Sequence, residues 1–182
     1  MQNAAVRMQA LIVDLLTFSR VTTRAQGFQP VDLDQVLAEV LSDLEISVEE
    51  SGAKMETAKL GTIDADPTQM RQLLQNLIGN ALKFRDPARA HLVRVSGRRD
   101  AERLELVVED TGIGFEPKYT DRIFGLFQRL HARDEYGGSG VGLAICRKIA
   151  ERHGGRITAI GRSGVGATFT IMLPLKHAGD AK

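Results

Sequence analysis

One cysteine, no tryptophan and only two tyrosines occur in 182 residues. The lone Cys146 excludes an internal disulfide, so the fold must rest on a buried core and not on cross-links. An excess of either charge is also missing, since 24 Lys and Arg against 23 Asp and Glu leave a formal charge of +1. That balance gives no global field toward nucleic acid or an anionic membrane, so any recognition of phosphate must be local. The sequence contains no run of eighteen apolar residues and no basic-then-apolar leader, and no membrane segment is expected in it. A cytoplasmic setting is expected, with a membrane-anchored longer parent left open. Repeats and low-complexity tracts are absent, and 43% hydrophobic content supports one main core with a small appendage.

Glycine, by contrast, is plentiful, and much of it falls in two clusters. Gly112 and Gly114 lie in V-V-E-D-T-G-I-G-F; Gly137, Gly138, Gly140 and Gly142 lie in G-G-S-G-V-G-L. Such clusters leave backbone N–H groups uncovered and allow positive φ, so the chain can wrap a phosphate. More than twenty residues with weak helical signal separate them, a length that in a compact domain reads as a functional lid.

From Met1 to about Arg24 there is no Gly or Pro, and Met8, Leu11, Leu15 and Phe18 step along one helix face, widened by Ile12 and Leu16. So broad an apolar stripe needs a partner surface, and dimerisation is expected. Residues 27–31, with Gly27 and Pro30, read as a linker. Asp32 with Gln35 then opens a helix expected to run to about Glu50. Lys54 to Leu60 and Thr62 to Asp64 read as short strands paired through Gly61. Asp66-Pro67 starts a further helix with a carboxylate cap and Pro at its first position. On that helix Gln72, Asn76, Asn80 and Lys83 step by four, four and three, which makes one polar ridge. His91 to Arg99 and Arg103 to Glu109 alternate as a hairpin ending at Asp110. A helix over Gly140 to His153, ended by Gly154, and a hairpin around Ser163-Gly164 follow, then a polar tail over 177–182.

The chemistry gathers on the ridge and the glycines. An Asn in mid-helix is a mediocre helix former; the Asn80 amide oxygen suits Mg²⁺, with phosphate oxygens and water completing the octahedron, and Lys83 one turn on can reach the same phosphates. Asp110 at a strand end can accept from an adenine amine, which guanine does not offer. Glycines running straight into a helix add the positive end of its dipole for phosphate. A solvated helix face and a plain Asp-Gly turn are the bland alternatives for these residues taken singly.

Four features occur in order: N-L-I-G-N-A-L-K-F, E-D-T-G-I-G-F, R-I-F-G-L-F and G-G-S-G-V-G-L-A-I. Together they resemble the N-box, first glycine box, phenylalanine box and second glycine box of a sensor histidine kinase, over about Met8 to Pro174. The resemblance implies an α+β fold, the two-layer α/β sandwich of the Bergerat or GHKL superfamily, with a mixed sheet against three helices and an N-terminal amphipathic helix. It implies a catalytic ATP-binding domain over 32–176 that uses ATP and Mg. Asn80 would ligate Mg²⁺ with Asn76 near it, and Lys83 and Arg129 would contact phosphates. Asp110 would read adenine, Gly112 and Gly114 would let the nucleotide approach, and Gly138, Gly140 and Gly142 would line the phosphate side. Phe124 and Phe127 would anchor the lid. Thr168 is a weaker match, because Ala167 fills a place where the family often has Ser or Thr.

Residues 1–26, with L-I-V-D-L-L-T-F-S-R, resemble the second helix of the family's dimerisation and phosphotransfer hairpin. The first helix, with its phosphoacceptor histidine, is not expected in this sequence, since none of His91, His131, His153 and His177 has the right setting. Autophosphorylation of this chain alone is therefore not expected. Implied partners are a phosphotransfer helix, a response-regulator receiver domain and, in a full-length protein, a second copy; nucleic acid is not among them. Related ATPases place a Glu one turn before the metal-ligating Asn as general base; Asn76 cannot serve, which favours transfer to histidine over hydrolysis. An ATPase of the same superfamily and a non-catalytic ATP-binding module are the alternatives.

Overall fold

The computed structural model describes residues 2–23, 25–130 and 139–177. Its chain order is α1 (Gln2–Thr23), β1 (Gln29–Asp32), α2 (Leu33–Asp43), α3 (Glu45–Ser51), β2 (Lys54–Thr57), β3 (Thr62–Ala65), α4 (Pro67–Lys83), β4 (Leu92–Arg99), β5 (Arg103–Asp110), α5 (Gly142–Arg152), β6 (Arg156–Arg162) and β7 (Gly166–Pro174). Two single 3-10 turns, Pro117–Tyr119 and Arg122–Phe124, lie between β5 and α5.

Strand alternation builds the main layer. Inward positions of β5 are Leu104, Leu106, Val108 and Asp110, and those of β7 are Ala167, Phe169, Ile171 and Leu173, all buried. With period two, the residue after Val107, Val108 and Glu109 has no choice of face: Asp110 is the last inward position of its strand. The five-stranded sheet has the order β2-β4-β5-β7-β6, with β2 parallel to β4 and the other pairs antiparallel. Helices α4 and α5 cover its inner face and pack on each other, and α2 packs on α4. This is the mixed sheet against three helices that the α+β expectation describes.

Asp66 starts α4 as expected, its Oδ1 accepting from Gln69 N at 3.1 Å with Pro67 in the first turn. One face of α4 buries Met70, Leu73, Leu74, Leu77, Ile78, Ala81 and Leu82, and burial of each large side chain is worth about 1.5–3 kcal/mol. The ridge from Gln72 to Lys83 is thereby turned away from the core.

The structure corrects three local expectations. Residues 27–31 are not all linker, because β1 begins at Gln29 and pairs with β3, Gln29 opposite Ala65. The helix expected to run from Asp32 to Glu50 is broken at Leu44 into α2 and α3. The strands flanking Gly61 do not pair with each other: the Asp34 carboxylate holds the Leu60 and Gly61 amides at 2.8 and 3.1 Å, so that turn belongs to α2 and each strand pairs elsewhere. Further on, α5 starts at Gly142, two residues after Gly140, whose φ is +76°.

The end of α1 is docked on the body. Val21 is buried, its carbonyl accepts from Gln69 Nε2 at 2.8 Å, and the Lys148 ammonium sits 4.2 Å from the Phe18 ring centre. Further toward the start of α1, Met8, Ile12, Leu15 and Leu16 are exposed. Among the described residues no helix is long and apolar enough to cross a membrane.

Candidate functional site

A cleft of about 330 Å³ opens between α4, the first turn of α5, the inner ends of β5 and β7, and the lid. Asn76, Asn80, Lys83, Asp110, Gly114, Arg129, Gly140 and Gly142 all line it. Gly112, Phe124 and Phe127 do not, and Gly138 and His131 lie outside the described residues.

At one end stands Asp110, 7% exposed. Gly112 N donates to its Oδ1 at 2.8 Å, and burial raises its pKa to about 6 against the opposing effect of backbone hydrogen bonds from Gly112 and Ala167. The turn that follows is fastened to the end of α4, where Ile113 N donates to the Phe84 carbonyl at 2.9 Å. Arg89 braces the same turn, its Nη2 donating to the Gly112 carbonyl at 2.9 Å.

The ridge forms the floor. Lys83 is held 4.5 Å from the Phe84 ring centre, and burial, then the nearby Arg129 cation, lowers its pKa. Two cations thus converge on a cleft whose only lining carboxylate, among the described residues, is Asp110. Such an arrangement is set for an anion of higher charge. Asn76 Nδ2 is buried with no nitrogen or oxygen acceptor among the described residues, and the side chain lies against the buried Cys146 thiol. The start of α5 carries no side-chain cap among the described residues, so its first turn presents the positive end of the helix dipole at the cleft that Gly140 and Gly142 line.

The lid residues divide. Phe124 is buried edge-on against Phe169, with centroids 6.4 Å apart, and Arg147 lies over its ring at 4.6 Å. Phe127, expected as a second anchor, is 47% exposed and holds φ of 59°, a strained value for a side chain of that size. It is no anchor in this conformation, because its backbone turns the ring outward.

The glycines have packing reasons beyond nucleotide approach. A Cβ on Gly112 would collide with the Phe84 carbonyl; one on Gly114, at φ +62°, would collide with the Arg162 carbonyl. At Gly142 a Cβ would lie 3.4 Å from Asn76 Oδ1, an ordinary contact. Of these three, only Gly142 would accept a Cβ without a collision.

The described histidines are otherwise engaged. His153 is fully buried; its Nε2 accepts from Asp66 N at 3.1 Å, its Nδ1 donates to the Ile149 carbonyl at 2.8 Å, and burial lowers its pKa to about 4. His91 is buried with Nε2 against the Ala81 carbonyl at 2.9 Å, and His177 stacks on Phe28 with centroids 3.8 Å apart. Sequence reasoning did not single out several lining residues, among them Gln128 and Leu130 of the lid and Thr17, whose place depends on how α1 docks.

A family profile described as histidine kinase-, DNA gyrase B-, and HSP90-like ATPase matches residues 65–177. The chain belongs to this family. Cyanobacterial phytochrome A of Nostoc sp. is 45% identical over 168 residues, 92% of this chain and 22% of that protein. The adaptive-response sensory kinase SasA of Parasynechococcus marenigrum is 38% identical, over 92% of this chain and 45% of that protein. Among solved structures, full-length ShkA in complex with AMPPNP superposes with a TM-score of 0.78 at 32% identity, over 94% of this chain and 36% of that one. The catalytic domain of histidine kinase ThkA gives 0.70 at 25% identity, covering 84% of this chain and 100% of that one. The chain spans between about a fifth and a half of the two curated relatives' lengths. It is an ATP-binding catalytic domain of the histidine kinase type, and its curated relatives include sensor-like histidine kinases.

Proposed function

We propose that this domain binds Mg-ATP and passes the γ-phosphoryl group to a histidine on a phosphotransfer helix outside these residues, for relay to a response-regulator receiver domain. The observation that carries the reading is the ridge of Asn76, Asn80 and Lys83 on one wall of a cleft whose far end holds the buried Asp110. Asp110 accepts from the adenine amine. Lys83, Arg129, Gly140, Gly142 and the α5 N-terminus hold the phosphates.

The residues fit Mg²⁺ held jointly with nucleotide. Among the described residues no cluster of His, Cys, Asp and Glu could cage an ion unaided, while the Asn80 amide lines the phosphate side with no side-chain hydrogen bond to a described residue. That suits a cation that keeps most of its shell from phosphates and water. When bound, the metal neutralises charge on the transferring group. Lys83 and Arg129 orient that group, the P–O bond to the β-phosphate breaks, a P–N bond to imidazole forms, and ADP leaves. Asn76 has no basicity with which to activate water, which directs the chemistry to the histidine.

In this reading α1 is the second helix of a phosphotransfer hairpin. Its exposed Met8, Ile12, Leu15 and Leu16 face packs in a helical bundle within a full-length homodimer. The setting is cytoplasmic.

The test is phosphorylation of a supplied phosphotransfer hairpin with labelled ATP, with Asn80→Ala as control. The expected result is acid-labile phosphohistidine on the hairpin, none on this chain alone, and loss of transfer in the variant. ATP binding with no transfer would identify a silent binding module; steady hydrolysis without an acceptor would identify an ATPase.

A further inference from the structure

Thr17 is the one residue of α1, among those described, that lines the nucleotide cleft, and the docking of α1 is built to keep it there. The Gln26 amide donates to Asp66 Oδ2 at 2.8 Å, and Gln69 Nε2 donates to the Val21 carbonyl at 2.8 Å. On the other side Arg152 Nη2 donates to the Gln26 carbonyl at 2.8 Å, and Lys148 Nζ to the Phe18 carbonyl at 3.2 Å. Moving back along the chain from residue 26, just past α1, to residue 18 within it therefore moves forward along α4 and back along α5. One step further, Thr17 falls level with Gln72 and Asn76 on α4 and with the first turn of α5, all of which line the same cleft.

That end is the far one from Asp110. The turn after Asp110 is tied to Phe84, and Gln72 lies about 18 Å from Phe84 along α4 at 1.5 Å per residue. A nucleotide with its base on Asp110 extends past Lys83 and Asn80, so its last phosphate points to the Thr17 end. The Thr17 hydroxyl now donates to the Val13 carbonyl at 2.8 Å. That carbonyl is already served within the helix, so the hydroxyl can swing to a better acceptor at little cost.

We propose that Thr17 is a further nucleotide-contacting residue whose hydroxyl recognises the terminal phosphate of ATP, so that docking of α1 on the catalytic body is favoured by ATP and not by ADP. The inference rests on the nucleotide reading above and adds to it a second element that reads the phosphate being transferred. Coupling of this kind is reciprocal: whatever loosens α1 must weaken the triphosphate selectively.

The experiment is calorimetric binding of AMPPNP and ADP to the 182-residue chain as wild type, Thr17→Val, Thr17→Ser, Arg152→Ala and the Thr17→Val/Arg152→Ala double variant, each checked by thermal melt. Arg152 contacts Gln26 and Gln69 but does not line the cleft. Thr17→Val should weaken AMPPNP about tenfold, the size of one hydrogen bond to a charged group, and leave ADP within about twofold. Thr17→Ser should bind as wild type, and in the Arg152→Ala background Thr17→Val should change nothing further. Equal weakening of both nucleotides, or of neither, would overturn the role of Thr17 while leaving the nucleotide site standing. A wild-type chain that binds neither nucleotide would overturn both.

Discussion

Gly112 donates its amide to Oδ1 of Asp110 at 2.8 Å, so the turn after the strand aims the carboxylate that the strand has buried. Burial lifts that group from its usual 3.8 to about 6, and about two units at 1.36 kcal/mol each place the cost of the charged form at roughly 3 kcal/mol. The folded value lies above the unfolded one, so the penalty is absent below about pH 4, grows as pH rises through 6 and is complete above it. Asp110→Asn should therefore stabilise the nucleotide-free protein at pH 7 by up to roughly 3 kcal/mol and by nothing near pH 4, as read by urea unfolding. The same variant should weaken ATP about a hundredfold, because with Oδ1 held by Gly112 the new amide N–H₂ faces the adenine amine donor to donor.

The pH dependence of binding follows from the same group. Below about pH 6 a protonated Asp110 stops being a free acceptor, and the Kd for ATP should rise about tenfold per pH unit. Calorimetric titration at several pH values checks this; Asp110→Asn should flatten the profile.

His153 carries the opposite sign. Its folded value of about 4 lies below its ordinary 6.5, so stability is complete above about 6.5 and is lost as pH falls toward 4. His153→Gln should flatten that acid limb in urea unfolding and lower stability at pH 7 by about 2–4 kcal/mol, since the Asp66 amide and the tilted Phe28 ring lose their partner.

The glycines should separate by role. Gly114→Ala, with its positive φ and the Arg162 carbonyl in the way, should cost more than about 3 kcal/mol and leave little folded protein. Gly142→Ala meets only an ordinary contact with Asn76 at the start of a helix and should melt within a few degrees of wild type, yet bind ATP more weakly because its methyl enters the phosphate side. Circular dichroism and nucleotide titration on the two variants distinguish them.

Cys146 is fully buried against the Leu73 carbonyl, and burial pushes its thiol up to about 12. It should resist alkylation in the native state and react at the rate of global opening, so thiol-labelling kinetics should track urea stability.

Much of the site was legible in the sequence because its parts are local. The Asp66 cap, the spacing from Gln72 to Lys83 and the alternation that ends at Asp110 each follow from neighbours a few residues away. What was not legible depends on distant partners. β2 pairs with β4 across nearly forty residues, Lys54 opposite Leu92, and β1 hides behind Gly27 and Pro30 because its pairing with β3 is the only thing that makes it a strand. The outward ring of Phe127 and the entry of Thr17 into the cleft are set by loop geometry and helix docking, which leave no periodicity to read.

The short β1–β3 pair has a consequence for how such domains are inherited and recombined. The recognisable signature begins at residue 65, but Leu33, Val36, Leu37 and Val40 share one core with Met70 and Leu74. A graft cut at Ala65 would carry the chemistry and leave behind the side chains that make it cooperative. A graft cut near Phe28 would keep them and give up, of the buried core among the described residues, only Val21, so the start of the matched signature and the start of the packed core differ by some thirty-five residues.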